Sequence, residues 1–295
     1  MTKLASIGYR ITHICNAFEV PRSSYYYHQG KTNRGDIRNK RSELEEEILS
    51  GIRDIKKRHP LYGYRRITAL AKKKLRKDIN HKRVYRLMKE EDLLCERKRY
   101  KAKRHKPEDR SKPKAKYPNH WWGTDMTKHY VEGYGWLYIV PVLDWYTKEV
   151  LGIEISGSCK TEIWERSLEK SVLYACPEGS REYRINLMSD NGSQPTSGKY
   201  EKTCKRLGIN HVTTSYNNPK GNAETESFIK TLKEDCLWIN EFDSFEDAKR
   251  QILSWIDYYN YEYPHSAIGY ESPRSTRLEF YKNRKTLNLK TEKCV

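Results

Sequence analysis

The chain has 295 residues with 57 Lys+Arg against 39 Asp+Glu, a formal net charge of +18 and a mean hydropathy of −0.97. Its length suggests about two domains, and a 36% share of hydrophobic residues with 23 tyrosines and 7 tryptophans excludes global disorder. The longest apolar stretch, Leu137 to Leu143, falls far short of the roughly 20 residues of a membrane span, and no signal-peptide core opens the chain, so it reads as intracellular with no membrane partner.

Cysteines 15, 95, 159, 176, 204, 236 and 294 form no CxxC pair, and no histidines at ligand spacing lie near them. Zinc-finger and disulfide-framework readings therefore fail, and reduced thiols are expected.

Charge divides the chain. Residues 1 to 118 hold 34 Lys+Arg and 14 Asp+Glu, whereas 119 to 295 hold 23 and 25. The first part is thus suited to a polyanion, because each neutralised phosphate releases condensed counterions.

In chain order, Ile11, Ile14, Cys15 and Phe18 recur at helical spacing before Pro21, and Ser23 is placed to cap a short second helix, the outline of a helix-turn-helix. A second helical unit follows, with a stripe of Leu44, Ile48, Ile52 and Ile55, a turn in HPLYGYRRI at 59 to 67, a helix through Leu70 and Ala71, and another after Asn80 that carries Val84, Leu87 and Met88. Arg65, Arg66, Lys72, Lys73, Lys74, Lys82 and Arg83 are its cations available for DNA phosphates; a helical interaction module is the alternative. Basic, proline-bearing sequence then marks a linker, so residues 1–98 are expected to form the helical DNA-binding region and 99–118 the linker.

Beyond the linker the periodicity changes. WWGTDMTKHYV (121 to 131), LYIVPVLDWY (137 to 146) and EVLGIEI (149 to 155) predict three consecutive antiparallel strands. A helix at 161 to 175, a strand at 184 to 190, a helix near 197 to 207, a strand at 209 to 213, a polar loop at 215 to 222 and a helix at 223 to 235 complete a mixed α/β sheet. Pro141 in the second strand suggests an edge or a bulge.

Asp125 lies mid-strand among apolar neighbours, Asp190 ends a strand at a glycine-bearing loop, and Glu226 sits in the first turn of a helix. Singly, Asp190 is explained as a turn residue in SDNG and Glu226 as a favourable charge at a helix N-terminus. Together they suit phosphodiester chemistry, in which two divalent ions activate the attacking oxygen and stabilise the leaving one. Mg²⁺ needs only a few protein carboxylates beside phosphate oxygens and water.

WWGTDMT, LYIVPVLDWYTKEVLGIEI, SDNGSQ and NAETESFIKTLKED resemble the integrase-core DDE transposases of bacterial insertion sequences, which have an RNase H-like fold and a retroviral-integrase-like core. HPLYGYRRI and HKRVYRLMKEEDLL are similar to that family's preceding helical domain, and YYNYEYPHSAIGYESP (258 to 273) to its C-terminal signature, except that Tyr263 stands where arginine is common. With 39 acidic residues in the chain, spacing alone would carry little; motif order and context carry the resemblance.

The resemblance implies an α/β, RNase H-like core at 119–235, a helical C-terminal segment at 236–295, and Asp125, Asp190 and Glu226 as catalytic metal ligands for Mg²⁺ or Mn²⁺. It also places a basic residue at Lys233, seven positions past the glutamate, and implies strand cleavage at element ends followed by strand transfer. The implied partners are double-stranded DNA, further copies of the chain on that DNA and an upstream-frame helix-turn-helix polypeptide, in the bacterial cytoplasm at the nucleoid. A metal-dependent nuclease without joining activity and a non-catalytic DNA-binding regulator are the alternatives. At about 100° per residue from Glu226, Phe228, Leu232, Cys236 and Ile229 fall between about 200° and 300° as a buried stripe. Lys230 and Lys233 share the Glu226 face for DNA phosphate, and Glu224 lies on the flank.

Overall fold

The computed structural model describes residues 1–95, 113–214 and 221–291. Most of the expected linker at 99–118 and of the polar loop at 215–222 therefore lies outside the described residues. The chain divides into two compact units, 1–96 and 97–295.

The first unit is all helical: α1 (Thr2–Ser6), α2 (Ile11–Ala17), α3 (Arg22–Arg58), α4 (Tyr64–Leu75) and α5 (His81–Glu90). Pro21 ends nothing beyond itself, since it occupies the N-cap of α3, where its missing N–H is harmless. The expected short helix capped by Ser23 and the Leu44 to Ile55 helix are accordingly one helix of 37 residues. No proline interrupts the sequence from 22 to 59. Ile48, Ile52 and Ile55 of α3 are buried with Ile67 and Ala71 of α4 and Val84, Leu87 and Met88 of α5. Asn80 caps α5 by accepting the Lys82 N–H at 2.8 Å.

The second unit is built on six strands: β1 (Trp121–Thr124), β2 (Thr127–Val131), β3 (Gly135–Asp144), β4 (Val150–Ser156), β5 (Asn186–Ser189) and β6 (Asn210–Thr213). Helix α6 (Thr161–Ala175) follows β4, α7 (Gly198–Arg206) joins β5 to β6, and α8 (Ala223–Leu232), α9 (Phe245–Tyr261) and α10 (Pro273–Thr291) follow the sheet. β3 pairs antiparallel with β4 on one edge and with β1 and β2 on the other, and β1, β5 and β6 continue in parallel. One face packs Trp122, Val140, Val142, Leu151 and Leu187 against Ile163, Trp164 and Leu168 of α6 and Tyr200 and Cys204 of α7. The other face receives α8 and α9.

The expected first strand is split into β1 and β2 at Asp125 and Met126. Thr124↔Val142 and Thr127↔Ile139 keep one register across the gap, which sets Pro141 opposite Asp125. Pro141 has no N–H for the ladder, and its carbonyl oxygen accepts instead from Thr124 Oγ1 at 2.9 Å. Pro141 marks no edge: β3 is interior, Pro141 pairs with Ile153 of β4, and the bulge follows between Val142 and Leu143. The proline turns its bare nitrogen toward the gap in the neighbouring strand, and this satisfies the rule that keeps proline out of continuous ladders.

Candidate active site

The gap between β1 and β2 is where the acids meet. The parallel register Trp121↔Asn186, Trp122↔Leu187, Gly123↔Met188, continued by two residues, sets Asp125 level with Asp190, the residue after β5. Neighbouring strands lie about 4.8 Å apart and residues two apart share a face, so both acids occupy the face on which α8 packs. That helix starts at Ala223 and brings Glu226 in its first turn.

Burial pushes the Asp125 carboxyl up to about 6; the Met126 N–H, donated to Asp125 Oδ1 at 2.7 Å, opposes the rise, Asp190 and Glu226 add to it, and the Lys233 ammonium lowers it. Asp125 therefore feels the charges of Asp190, Glu226 and Lys233. Asp125 is half-buried, whereas Asp190 and Glu226 are exposed. Asp190 also makes the turn expected of SDNG, its Oδ1 accepting the Gly192 N–H at 3.2 Å, and Oδ2 has no partner among the described residues.

On α8 the helical arithmetic holds: Phe228, Ile229, Leu232 and Cys236 are buried. The α-helix runs to Leu232 and becomes a π-helical turn at Lys233–Leu237, so Lys233 keeps its two-turn distance from Glu226 and reaches the field of Asp125. Lys230 is exposed, 3.7 Å from Glu234. Glu224 turns away to Lys148, Oε2 to Nζ 2.7 Å.

Among the described residues no three acid, histidine or cysteine side chains are gathered closely enough to form a ready metal shell. The donor set nonetheless fits a hard divalent cation, because carboxylate oxygens are its preferred ligands and the repulsion by Asp190 and Glu226, which adds to the burial that raises Asp125, is what a cation relieves.

Comparison with known proteins agrees with this geometry. Residues 115–219 and 207–273 match models of the integrase core domain, and residues 43–101 match an HTH-like domain. The chain is 31% identical over 260 residues to the putative transposase InsK for insertion sequence element IS150 of Escherichia coli K12, an alignment covering 85% of this chain and 88% of that one. The chain belongs to the insertion-sequence DDE transposases.

The transposase is also 26% identical to transposase InsD for insertion element IS2D of Escherichia coli K12, over 99% of this chain and 97% of that one. Among solved structures it is similar to a chain of the simian T-cell lymphotropic virus intasome in complex with PP2A regulatory subunit B56 gamma (16% identity, TM-score 0.48, 73% of this chain and 70% of that one). The catalytic core domain of BIV integrase is a further neighbour (19% identity, TM-score 0.39, 57% and 99%). The activity is that of a transposase, DNA strand cleavage at element ends and strand transfer into target DNA, by divalent-metal-dependent phosphoryl transfer.

In the helical unit of the transposase the candidate DNA-binding cations do not form one set. Arg65 donates to Tyr64 Oη at 3.1 Å and lies over that ring, and Arg66 lies over Tyr62, 5.2 Å from its centroid. The Tyr64 ring meets Tyr85 and His81 of α5, with centroids 5.2 and 6.3 Å away, which brings the starts of α4 and α5 together. Lys72 is paired with Asp78 at 2.6 Å and Arg83 is 4.0 Å from Glu45, whereas Lys73 and Lys82 are exposed and make no ion pair among the described residues.

Sequence reasoning missed the residues that hold α8. Gly123 opens the space for it, Thr225 faces β1, and Trp145 and Asn222 bond across the junction. Thr225 was within reach, since its helical angle of about 260° falls inside the apolar stripe. The other contacts join residues about 80 to 100 positions apart. Among the described residues six cysteines are free, and burial pushes Cys176, Cys204 and Cys236 up to about 12.

Proposed function

We propose that Asp125, Asp190 and Glu226 are the catalytic carboxylates of transposition and would hold two Mg²⁺ or Mn²⁺ ions. The observation that carries this reading is the β1–β5 register, which continued by two residues sets Asp125 level with Asp190 on the face where α8 brings in Glu226; burial, with those two acids adding to it, raises the Asp125 carboxyl to about 6. When bound, the cations supply activation of the attacking oxygen and stabilisation of the leaving one. The half-buried Asp125 keeps one oxygen on the Met126 N–H, which fixes the direction of the other. Asp190, anchored through Oδ1 to Gly192, likewise presents Oδ2. Lys233 offers its ammonium to a DNA phosphate beside the acids, and Lys230 extends that cationic face.

Arg65, Arg66, Lys72, Lys73, Lys82 and Arg83 are proposed to contact DNA phosphates from the helical unit. The working assembly is a homo-oligomer on DNA, with an upstream-frame helix-turn-helix polypeptide as a further partner, at the nucleoid of the bacterial cytoplasm. The functional division is 1–98 for DNA binding, 99–118 as linker, 119–235 for catalysis and 236–295 as a helical support.

The test is cleavage of labelled element ends in Mg²⁺ or Mn²⁺. Asp125→Asn and Asp190→Asn are each expected to remove cleavage and strand transfer with DNA binding retained. Wild-type cleavage by either variant, or by metal-free protein, overturns the assignment.

A further inference from the structure

Two hydrogen bonds fasten α8 to the sheet, and each ends on the residue immediately before an acid of the proposed site. Trp145 Nε1, one residue past β3, donates to Thr225 Oγ1 at 3.1 Å, and Thr225 precedes Glu226. Asn222 Nδ2 donates to the carbonyl oxygen of Thr124 at 3.1 Å, and Thr124 precedes Asp125. The Asn222 carbonyl in turn accepts the Glu226 N–H at 3.0 Å, so a continuous chain of bonds runs from the backbone beside Asp125 to the backbone of Glu226.

These contacts lie in the interior. Trp145, Asn222, Thr124 and Thr225 are all buried, and the Trp145 ring is held by stacking on Trp121, with centroids 5.7 Å apart and planes 13° apart. The Glu226 carboxylate, by contrast, has no hydrogen bond or ion pair among the described residues. With no direct partner, its place relative to Asp125 is decided by where the first turn of α8 sits. A displacement of about 1 Å in a supporting shell is enough to spoil a metal or catalytic constellation.

We infer that Trp145 and Asn222 are positioning residues that set Glu226 against Asp125, and thereby the affinity of the carboxylates for a divalent cation. The inference rests on the reading of these acids as metal ligands. Neither residue touches the cation or the DNA in this role.

Mn²⁺ binding to the full chain, titrated by electron paramagnetic resonance without DNA, separates the two claims. Wild type is compared with Trp145→Phe, which keeps the ring stack and loses the N–H, with Thr225→Val, which breaks the same bond from the other side, and with Asn222→Ala. Glu226→Gln is the control, and circular dichroism establishes which proteins are folded at the assay temperature. Folded Trp145→Phe, Thr225→Val and Asn222→Ala are expected to bind Mn²⁺ five- to tenfold more weakly, whereas Thr225→Ser, which keeps the acceptor, stays within twofold of wild type. If Glu226→Gln loses affinity while these folded variants bind as wild type, the positioning roles are wrong and the carboxylate reading stands. Wild-type Mn²⁺ affinity in Glu226→Gln removes the reading itself, and the inference with it.

Discussion

The Cβ that Gly123 lacks would lie 2.0 Å from Thr225 Oγ1 and 2.3 Å from Trp145 Nε1. No side chain fits between β1 and α8, so Gly123→Ala must push the helix outward and carry Glu226 with it. The substitution is expected to cost about 1–3 kcal/mol of stability as an overpacked core does, and to abolish cleavage at temperatures where the protein is still folded. Thermal melting and end cleavage measured on the same preparation check this; near-wild-type cleavage would show that the close approach is dispensable.

Asp125 gives a pH signature with a definite sign. Its carboxyl has an ordinary value just below 4 in the unfolded chain and about 6 in the folded one. Between those values the folded state holds a proton that the unfolded state has released, so stability falls as pH rises and the full penalty, about 3 kcal/mol, applies above pH 6. Metal-free Asp125→Asn is therefore expected to melt higher than wild type at neutral pH, with the gain shrinking to nothing near pH 4. Melting curves that coincide at neutral pH would sink this account.

Neighbouring glutamates on α8 have opposite fates. Glu226 faces Asp125 across the junction, whereas Glu224 is committed to Lys148 at 2.7 Å on the other side of the helix. Glu226→Gln is expected to lose cleavage and strand transfer. Glu224→Gln keeps most activity and costs about 1 kcal/mol from a partly exposed ion pair. A folded but inactive Glu224→Gln protein would reverse the assignment.

The alternation of the sheet strands, the apolar stripe of α8 and the three acids were legible because each is a local periodicity or a residue out of place in one. The continuity of α3 was not, since Pro21 reads as a stop and occupies a helix N-cap with equal ease. The buried acids Asp144 and Glu149 were not singled out either, since their partner Arg277 lies 133 and 128 residues away. Such pairings are fixed by topology, and a single sequence carries no periodic trace of them.

That long-range cluster has a measurable weight. Arg277, buried on α10, donates from Nη2 to Asp144 Oδ2 at 3.1 Å, from Nη1 to Asn119 Oδ1 at 3.2 Å and from Nε to Glu149 Oε2. Both carboxylates are fully buried. Arg277→Ala leaves buried Asp144 without its cation and Glu149 with Arg274 alone, and is expected to cost about 3–5 kcal/mol. Denaturant unfolding checks the value, and a loss below about 1 kcal/mol would mean that Arg274, 3.3 Å from Glu149, replaces it.

The helical unit distinguishes cations that are free for DNA from cations already neutralised. Lys82 and Lys73 are exposed and make no ion pair among the described residues. Lys72, equally basic in the sequence, spends its charge on Asp78 at 2.6 Å. Counterion release depends on charges that meet phosphate, each lowering the slope of log affinity against log salt by about 0.9 when removed. Lys82→Ala and Lys73→Ala in the full chain are therefore expected each to flatten that slope by nearly one, measured between about 50 and 200 mM salt. Lys72→Ala is expected to flatten it by clearly less, because Asp78 must be displaced before its ammonium can serve a phosphate. Equal slopes for the three variants would show that the ion pair dissolves on DNA and that charge count alone governs binding.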